Sequence, residues 1–324
     1  MNKKILISIA TILIIVVIAS ATFLYLNNNN PNQNTGSYSV TDDEGYTTTF
    51  DSVPQRIISL APSNTQILFA IGAGDRVVGV TDYDQYPYNF SAWFAAGNMT
   101  SVGGFSTPNQ ETIASLHPDL LLATTIHDTF LSTFRSLGYK VLTLNPNNVS
   151  SVLNDITMVG KAAGAEQDAT TLVNSINDKI DSIAQKIAAA HEAKPTVYYE
   201  VWYPPLMSAG STSFITDVIT KAGGINIFEN EAQAYPTVSS ETIVQKNPSV
   251  ILLPTEMANA GEAPFYGSVQ DVKDRPGWSA ISAVQNNRIV VVDGSLFAEA
   301  GPRIAEQIQV AAAALYPELF NSTS

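Results

Sequence analysis

Arg56-Ile57-Ile58-Ser59-Leu60-Ala61-Pro62-Ser63-Asn64-Thr65-Gln66-Ile67-Leu68-Phe69-Ala70-Ile71-Gly72-Ala73-Gly74-Asp75-Arg76-Val77-Val78-Gly79-Val80 is the stretch that decides the fold class. The β-rich run Arg56–Ala61 predicts a strand. Ser63-Asn64-Thr65-Gln66 has the form of a capping box and predicts a helix through Ile71. Gly72 and Gly74 stop that helix, and Val77–Val80 predicts the next strand. Leu120–Thr124 and Val141–Leu144 continue the series. Short apolar strands separated by helices indicate a parallel α/β sheet.

A second series begins after Pro195. It comprises a strand at Val197–Val201, a helix over Phe214–Ala222 ended by Gly223-Gly224, strands at Val250–Leu253 and Ile289–Val292, and a closing helix over Ile304–Leu315. Between the two series, Ala169, Leu172, Val173, Ile176, Ile180, Ile183, Ala184 and Ile187 recur at three- and four-residue steps. They form one apolar face of a helix over Glu166–Ala190, which Lys194-Pro195 is expected to end. At 1.5 Å per residue it spans roughly 37 Å, enough for a strut between two lobes. A helix packed on one lobe fits the same periodicity.

The two series repeat one another. Glu111-Thr112-Ile113, then Pro118 and the strand from Leu120, matches Glu241-Thr242-Ile243, then Pro248 and the strand from Val250, 130 residues later. Asn109 and Ser239 are good N-caps, which puts both glutamates in a first helical turn. Each glutamate alone is accounted for by the helix dipole. As a pair on two similar lobes, they could present matched carboxylates to an Arg or Lys of one partner.

The 324 residues suit two domains of about 150 residues each. Sixteen Lys and Arg stand against twenty-nine Asp and Glu, a net charge of −13, and no basic patch is present, so nucleic acid is excluded as a partner. With no Cys, disulfides, thiolate metal sites and a lipid-modified Cys are all excluded. Lys3 and Lys4 precede an uncharged run, Ile5–Leu26, long enough to cross a bilayer. Ala19-Ser20-Ala21 offers a signal-peptide cleavage pattern, but the apolar run continues beyond it through Leu26, favouring an uncleaved anchor. Residues 27–37 form an Asn-rich linker. The remainder is expected outside the cytoplasm, membrane-held or else secreted or periplasmic. Four N-x-S/T sequons, at Asn89, Asn98, Asn148 and Asn321, fit an exported surface.

Val53–Thr65 and Gly72–Val80, extended by Asp82–Pro87, Gly223-Gly224-Ile225-Asn226-Ile227-Phe228 and Gly301-Pro302-Arg303, resemble the substrate-binding proteins of ABC importers for cobalamin, haem and iron–siderophores. The resemblance runs in order over roughly residues 38–318 and is closest to the cobalamin branch. It implies an α/β fold of two Rossmann-like lobes with parallel sheets, joined by a single long backbone helix. The expected division is an N-terminal lobe at 38–148, a connecting helical segment at 149–194 and a C-terminal lobe at 195–324. It further implies a ligand in the inter-lobe cleft, and docking of Glu111 and Glu241 onto arginines of the permease, which works with an ATPase. Gln66 departs from the family, which often has Glu there, and is read as a neutral change within the capping box. The missing lipid-anchoring Cys is a second departure, for which the apolar N-terminus could substitute.

A cleft for a large planar ligand calls for aromatic faces and a few polar groups. Tyr86, Phe105 and Tyr235 occupy aromatic positions that face the corrin in the cobalamin binders by resemblance. Trp202 and Phe297 are further candidates, with Tyr83, Tyr203, His127 and Glu299 near them. The six arginines are scattered, which disfavours an anionic ferric catecholate and leaves a near-neutral cobalamin-like corrinoid as the expected ligand, with haem or a siderophore as alternatives. His117 and His191 are expected to be solvated, and His127 to be structural. No metal site and no resident cofactor are expected, and a monomer is. The rival class is an exported carboxylate-dependent hydrolase drawing on Asp82, Asp84, Glu200 or Glu299. Nothing in the spacing fixes such a pair, so no catalytic residue is assigned and the chain is read as a binding protein, not an enzyme.

Overall fold

A computed structural model describes residues 36–255 and 269–320. The predicted anchor over residues 1–26, the linker up to residue 35 and the sequon at Asn321 lie outside the described residues. Among the described residues, no helix is long and apolar enough to cross a membrane.

The chain enters through an antiparallel hairpin of β1 (Tyr38–Thr41) and β2 (Thr47–Phe50). Next come β3 (Ile57–Ser59), β4 (Val77–Val80), β5 (Thr100–Ser101), β6 (Leu120–Thr124) and β7 (Val141–Leu144). They build a parallel sheet in the order β5-β4-β3-β6-β7. The later strands are β8 (Thr196–Trp202), β9 (Met207–Ser208), β10 (Ile225–Asn226), β11 (Val250–Pro254) and β12 (Ile289–Val292). Their sheet runs β10-β8-β11-β12, all parallel, with β9 antiparallel on β8. In both sheets the first strand is flanked by one strand that precedes the Glu-Thr-Ile repeat and by the strand that follows it, so the repeat extends to topology.

Strands buried on both faces read as apolar runs, as β11 and Leu120–Ala123 of β6 do, while β7 is interrupted by the buried Thr143. Their alternate residues serve different cores. Ile57, Leu120, Leu122 and Leu142 of the first sheet share one core with Val197, Tyr199, Val250 and Leu252 of the second. The outward sets, Ile58, Leu121 and Val141 in one half and Tyr198, Ile251 and Leu253 in the other, belong to separate cores. Helices fill the shared core. The Glu166–Ala190 helix packs against Val149–Ala162 from one side and Ile304–Leu315 from the other, so it touches both halves. Of its predicted apolar face, Ala169, Ile176, Ile180 and Ile183 are buried, Leu172, Val173 and Ile187 are partly covered, and Ala184 is exposed. Its end is set earlier than Lys194-Pro195, by His191 in the left-handed conformation at φ 53°.

The capping-box reading of Ser63–Gln66 is corrected. The helix spans Pro62–Ala70, its N-cap is Ala61, and no side chain caps it. Pro62 supplies the preset φ at the first position, which moves Ser63 into the helix and frees Gln66 for another partner. In the second half, Gly223 (φ +83°) turns the chain out of the Phe214–Lys221 helix. A Cβ on Gly224 would stand within 3.0 Å of Leu315, Ile219 and Val197, so the backbone there lies flush on the core. Asn226 then donates to Ala209 O and Thr216 Oγ1 and accepts from Phe228 N–H, buried throughout. The Gly-Gly-Ile-Asn-Ile-Phe motif thus builds the fold.

Candidate functional site: a cleft at the carboxyl ends of two sheets

Strand order reverses between β3 and β6 in one sheet and between β8 and β11 in the other. Open α/β sheets bind ligands at the carboxyl ends of strands at such points. Both points carry a cavity. The first, of about 320 Å³, is lined by Ala61–Ser63 after β3, Thr124 ending β6, Tyr83, Gln85, Phe105 and Ser106, and is closed from the other half by Ser295, Ala298 and Glu299. The second, of about 400 Å³, lies against Tyr199, Val201 and Trp202 of β8, Pro254 ending β11 and Thr255 after it, and Met207, Phe214, Tyr235 and Phe297. Ala298 walls both. No Lys, Arg or His is among these described lining residues.

Four of the five aromatic candidates reach these walls. Phe105 lines the first cavity; Trp202, Tyr235 and Phe297 line the second. Phe297 is itself buried and stacks on Tyr199 at 6.0 Å between centroids, so it forms the floor. Tyr86 lines neither cavity. Its ring, 46% exposed, lies under the Arg303 guanidinium of the other half at 4.4 Å. Arg303 is also forked onto Glu306 by two 2.7 Å bonds, so its charge is already engaged.

His127 is structural. It is fully buried, its Nδ1 accepts from Thr124 N–H at 3.0 Å, and its Nε2 pairs with Phe105 O at 2.7 Å. That fixes the Nε2–H tautomer and holds the Phe105 loop at the cavity wall. Burial, the largest influence, pushes its pKa down. His117 and His191 are exposed.

Acids mark the seam between the halves. Gln66 Nε2, from the helix after β3, donates to Glu299 Oε2. Burial first, then the charge of Asp84, pushes Glu299 up to about 7. Asp84 is itself buried and raised to about 6, its Oδ2 accepting from Thr81 N–H and Oγ1 at 2.9 and 2.6 Å. Gly301, in the turn after Glu299, lies against Ser63: a Cβ there would sit 3.5 Å away. The remaining acids weighed for hydrolysis are occupied. Asp82 accepts from Ser101 Oγ, and Glu200 is forked onto Arg275 at 2.5 and 2.9 Å in the second half. Gln66 and Ala61–Ser63 were missed in the sequence reading, although the switch-point rule applied to the strand at Ile57 would have found the loop that follows it. Among the described residues, no cluster of three or more His, Cys, Asp or Glu is placed to hold a metal.

Comparison with known proteins matches residues 57–296 to the family model described as periplasmic binding protein. The chain belongs to this family. It is 31% identical over 292 residues to an uncharacterized ABC transporter substrate-binding lipoprotein, YvrC, of Bacillus subtilis (strain 168), covering 87% of this chain and 86% of that one. Over 222 residues it is 31% identical to a cobalamin-binding protein of Halobacterium salinarum, covering 67% of this chain and 58% of that relative's length. A solved structure described as a possible iron-binding periplasmic solute-binding protein of Staphylococcus epidermidis superposes with a TM-score of 0.68 at 28% identity, covering 81% of this chain and 99% of that one. The periplasmic haem-binding protein RhuT of Roseiflexus shares the fold, at a TM-score of 0.70 and 24% identity over 81% of this chain and 98% of that one.

Within this family member, the repeated glutamates occupy matched positions. Asn109 Oδ1 accepts from Thr112 N–H at 3.0 Å and Ser239 Oγ from Thr242 N–H at 3.1 Å, capping Gln110–Ser115 and Ser240–Lys246. Glu111 and Glu241 are exposed in the first turns, while Ile113 and Ile243 are buried beneath them. Glu241's carboxylate is held below its ordinary range, by its own backbone N–H first and then by Ser239.

Proposed function

We propose that this chain is the extracytoplasmic substrate-binding component of an ABC importer, taking a cobalamin-like corrinoid between its halves and delivering it to the permease. One observation carries the choice of ligand: apart from Glu299, both cavities are walled by apolar, aromatic and neutral polar side chains, with no cationic group among the described lining residues. Haem propionates and ferric catecholates are anionic and would meet only Glu299 there, whereas the amide-fringed corrin rim finds hydrogen-bonding groups and flat apolar faces. The cobalamin-binding relative supports the same reading.

Phe105, Trp202, Tyr235 and Phe297 supply the faces, and Tyr86, held by Arg303, borders the entrance. Glu111 and Glu241 meet basic residues of the permease, one on each lobe. The lobes run over 38–148 and 195–324, with 149–194 connecting them, and residues 1–26 attach the protein to the membrane as a monomer. The role is binding rather than catalysis. Titration calorimetry with cobalamin, haem and a ferric siderophore tests the ligand. One-to-one binding of cobalamin is expected; saturable binding of haem or siderophore with no heat from cobalamin would overturn it.

A further inference from the structure

A third hollow lies at the opposite end of the first sheet from the cleft, beside Val77, the first residue of β4. It measures about 420 Å³ and is walled by Phe69, Tyr88 and Trp93, with Asp75 and Asn98 at its edge. Tyr88 stacks on Trp93 at 4.7 Å and 22° and is 46% exposed, and Phe69 stands edge-on to both. The cleft has no use for this aromatic wall. Asn98 heads the sequon Asn98-Met99-Thr100.

The three described sequons differ in what their side chains do. Asn148 Oδ1 caps Val149–Ala162, and its Nδ2, the atom a glycan is built on, donates to Asn147 Oδ1 at 2.7 Å. Asn89 Oδ1 caps Phe90–Ala96, accepting from Ala92 N–H at 3.2 Å, and Asn89 is not among the residues that wall this hollow. Asn98 is exposed just past the end of that helix, after Gly97 (φ +72°), anchored by its backbone N–H to Trp93 O at 3.0 Å. Its side chain is uncommitted to any cap and opens beside the rings.

We propose that Asn98 is an N-glycosylation site whose first sugar packs against the Tyr88–Trp93 wall. In the step, Asn98 Nδ2 bonds to C1 of a sugar carried on a lipid phosphate. The C1–O bond to the phosphate breaks, the lipid phosphate leaves with that electron pair, and the Nδ2 proton passes to a base of the membrane transferase. The ring's C–H face covers the aromatic face, and its hydroxyls reach Asp75. Apolar faces that stack while a polar rim stays wet are what amphipathic rings favour. The proposal rests on export of the chain and is independent of the ligand in the cleft.

The test is fragmentation mass spectrometry of the full-length protein purified from its own cells, in wild-type, Thr100→Ala and Ser91→Ala forms. A sugar mass at Asn98, lost in Thr100→Ala and kept in Ser91→Ala, is expected. An unmodified Asn98, or a sugar on Asn89 alone, overturns the assignment. Packing is read from Tm: Asn98→Gln is expected to lower it by about 2–4 °C in the wild-type background, and by distinctly less when Tyr88 is already Ala. An equal loss in both backgrounds overturns the packing.

Discussion

Gln66 and Glu299 are 233 residues apart in the chain and hydrogen-bonded across the cleft. The bond joins the helix after β3 to the turn that follows the Gly294–Phe297 helix, beside a buried Asp84. A neutral amide suits this seam: a carboxylate at position 66 would add a third negative group beside two acids that burial already holds partly protonated.

Stability therefore depends on pH through Glu299. Its folded pKa, about 7, stands above the ordinary 4.5, so the folded form holds the proton more tightly. The linked stability is full below about 4.5 and is lost as pH rises through about 7, at about 1.4 kcal/mol for each pH unit between those two values. Wild-type Tm is expected to fall between pH 5 and 8, and Glu299→Gln to flatten that fall. Parallel wild-type and variant curves would contradict it.

Asp155 is a second such group. On the Val149–Ala162 helix, burial first and then the Asp43 carboxylate beside it raise it to about 9, so it is neutral at pH 7. Asp155→Asn preserves that neutral shape. Little change in Tm is expected near pH 4, with a gain over wild type that grows towards pH 9, because across that range the unfolded carboxyl ionises while the folded one keeps its proton. Differential scanning calorimetry at the two pH values decides it; an equal effect at both would be inconsistent with a buried proton.

Glu200 and Arg275 are expected to behave as structural partners. Glu200 is fully buried, the Arg275 side chain is 9% exposed, and the guanidinium also lies 4.1 Å from the Tyr203 ring and 4.7 Å from Trp278. Glu200→Ala leaves a buried charge unpaired and should cost about 3–5 kcal/mol of unfolding free energy. Urea denaturation measures it. A loss below about 1 kcal/mol would mean that water or another acid takes over.

Ligand binding and docking should separate. Phe105→Ala is expected to weaken cobalamin binding at least tenfold, as loss of an aromatic contact at an interface centre does at about 1.4 kcal/mol per decade. Glu111→Ala with Glu241→Ala should leave affinity unchanged and abolish ligand-stimulated uptake in vesicles holding the permease. If the double variant also loses affinity, the glutamates act on the cleft and not on docking.

What was legible in the sequence was local. Val77–Val80, Leu120–Thr124, Val141–Leu144, Glu166–Ala190 and Ile304–Leu315 begin and end where their apolar runs do. The caps Asn109 and Ser239 lie within a turn of the groups they satisfy. Gln66 was misread because the Ser-x-x-Gln pattern offers a local partner, whereas Pro62 shifts the helix start and the true partner arrives late in the chain. Glu200 was ambiguous for the same reason, its cation lying 75 positions away. Phe105, Trp202, Tyr235 and Phe297 were separable as cavity residues only by their aromatic character, and nothing in sequence marked Tyr86 as the seat of Arg303.

The two halves repeat each other in order, caps and topology, yet Leu122 and Leu252 point into the same oil. Each half has a core of its own, and part of its interior is shared with the other. Cutting the chain between them would bare that shared apolar face on both pieces.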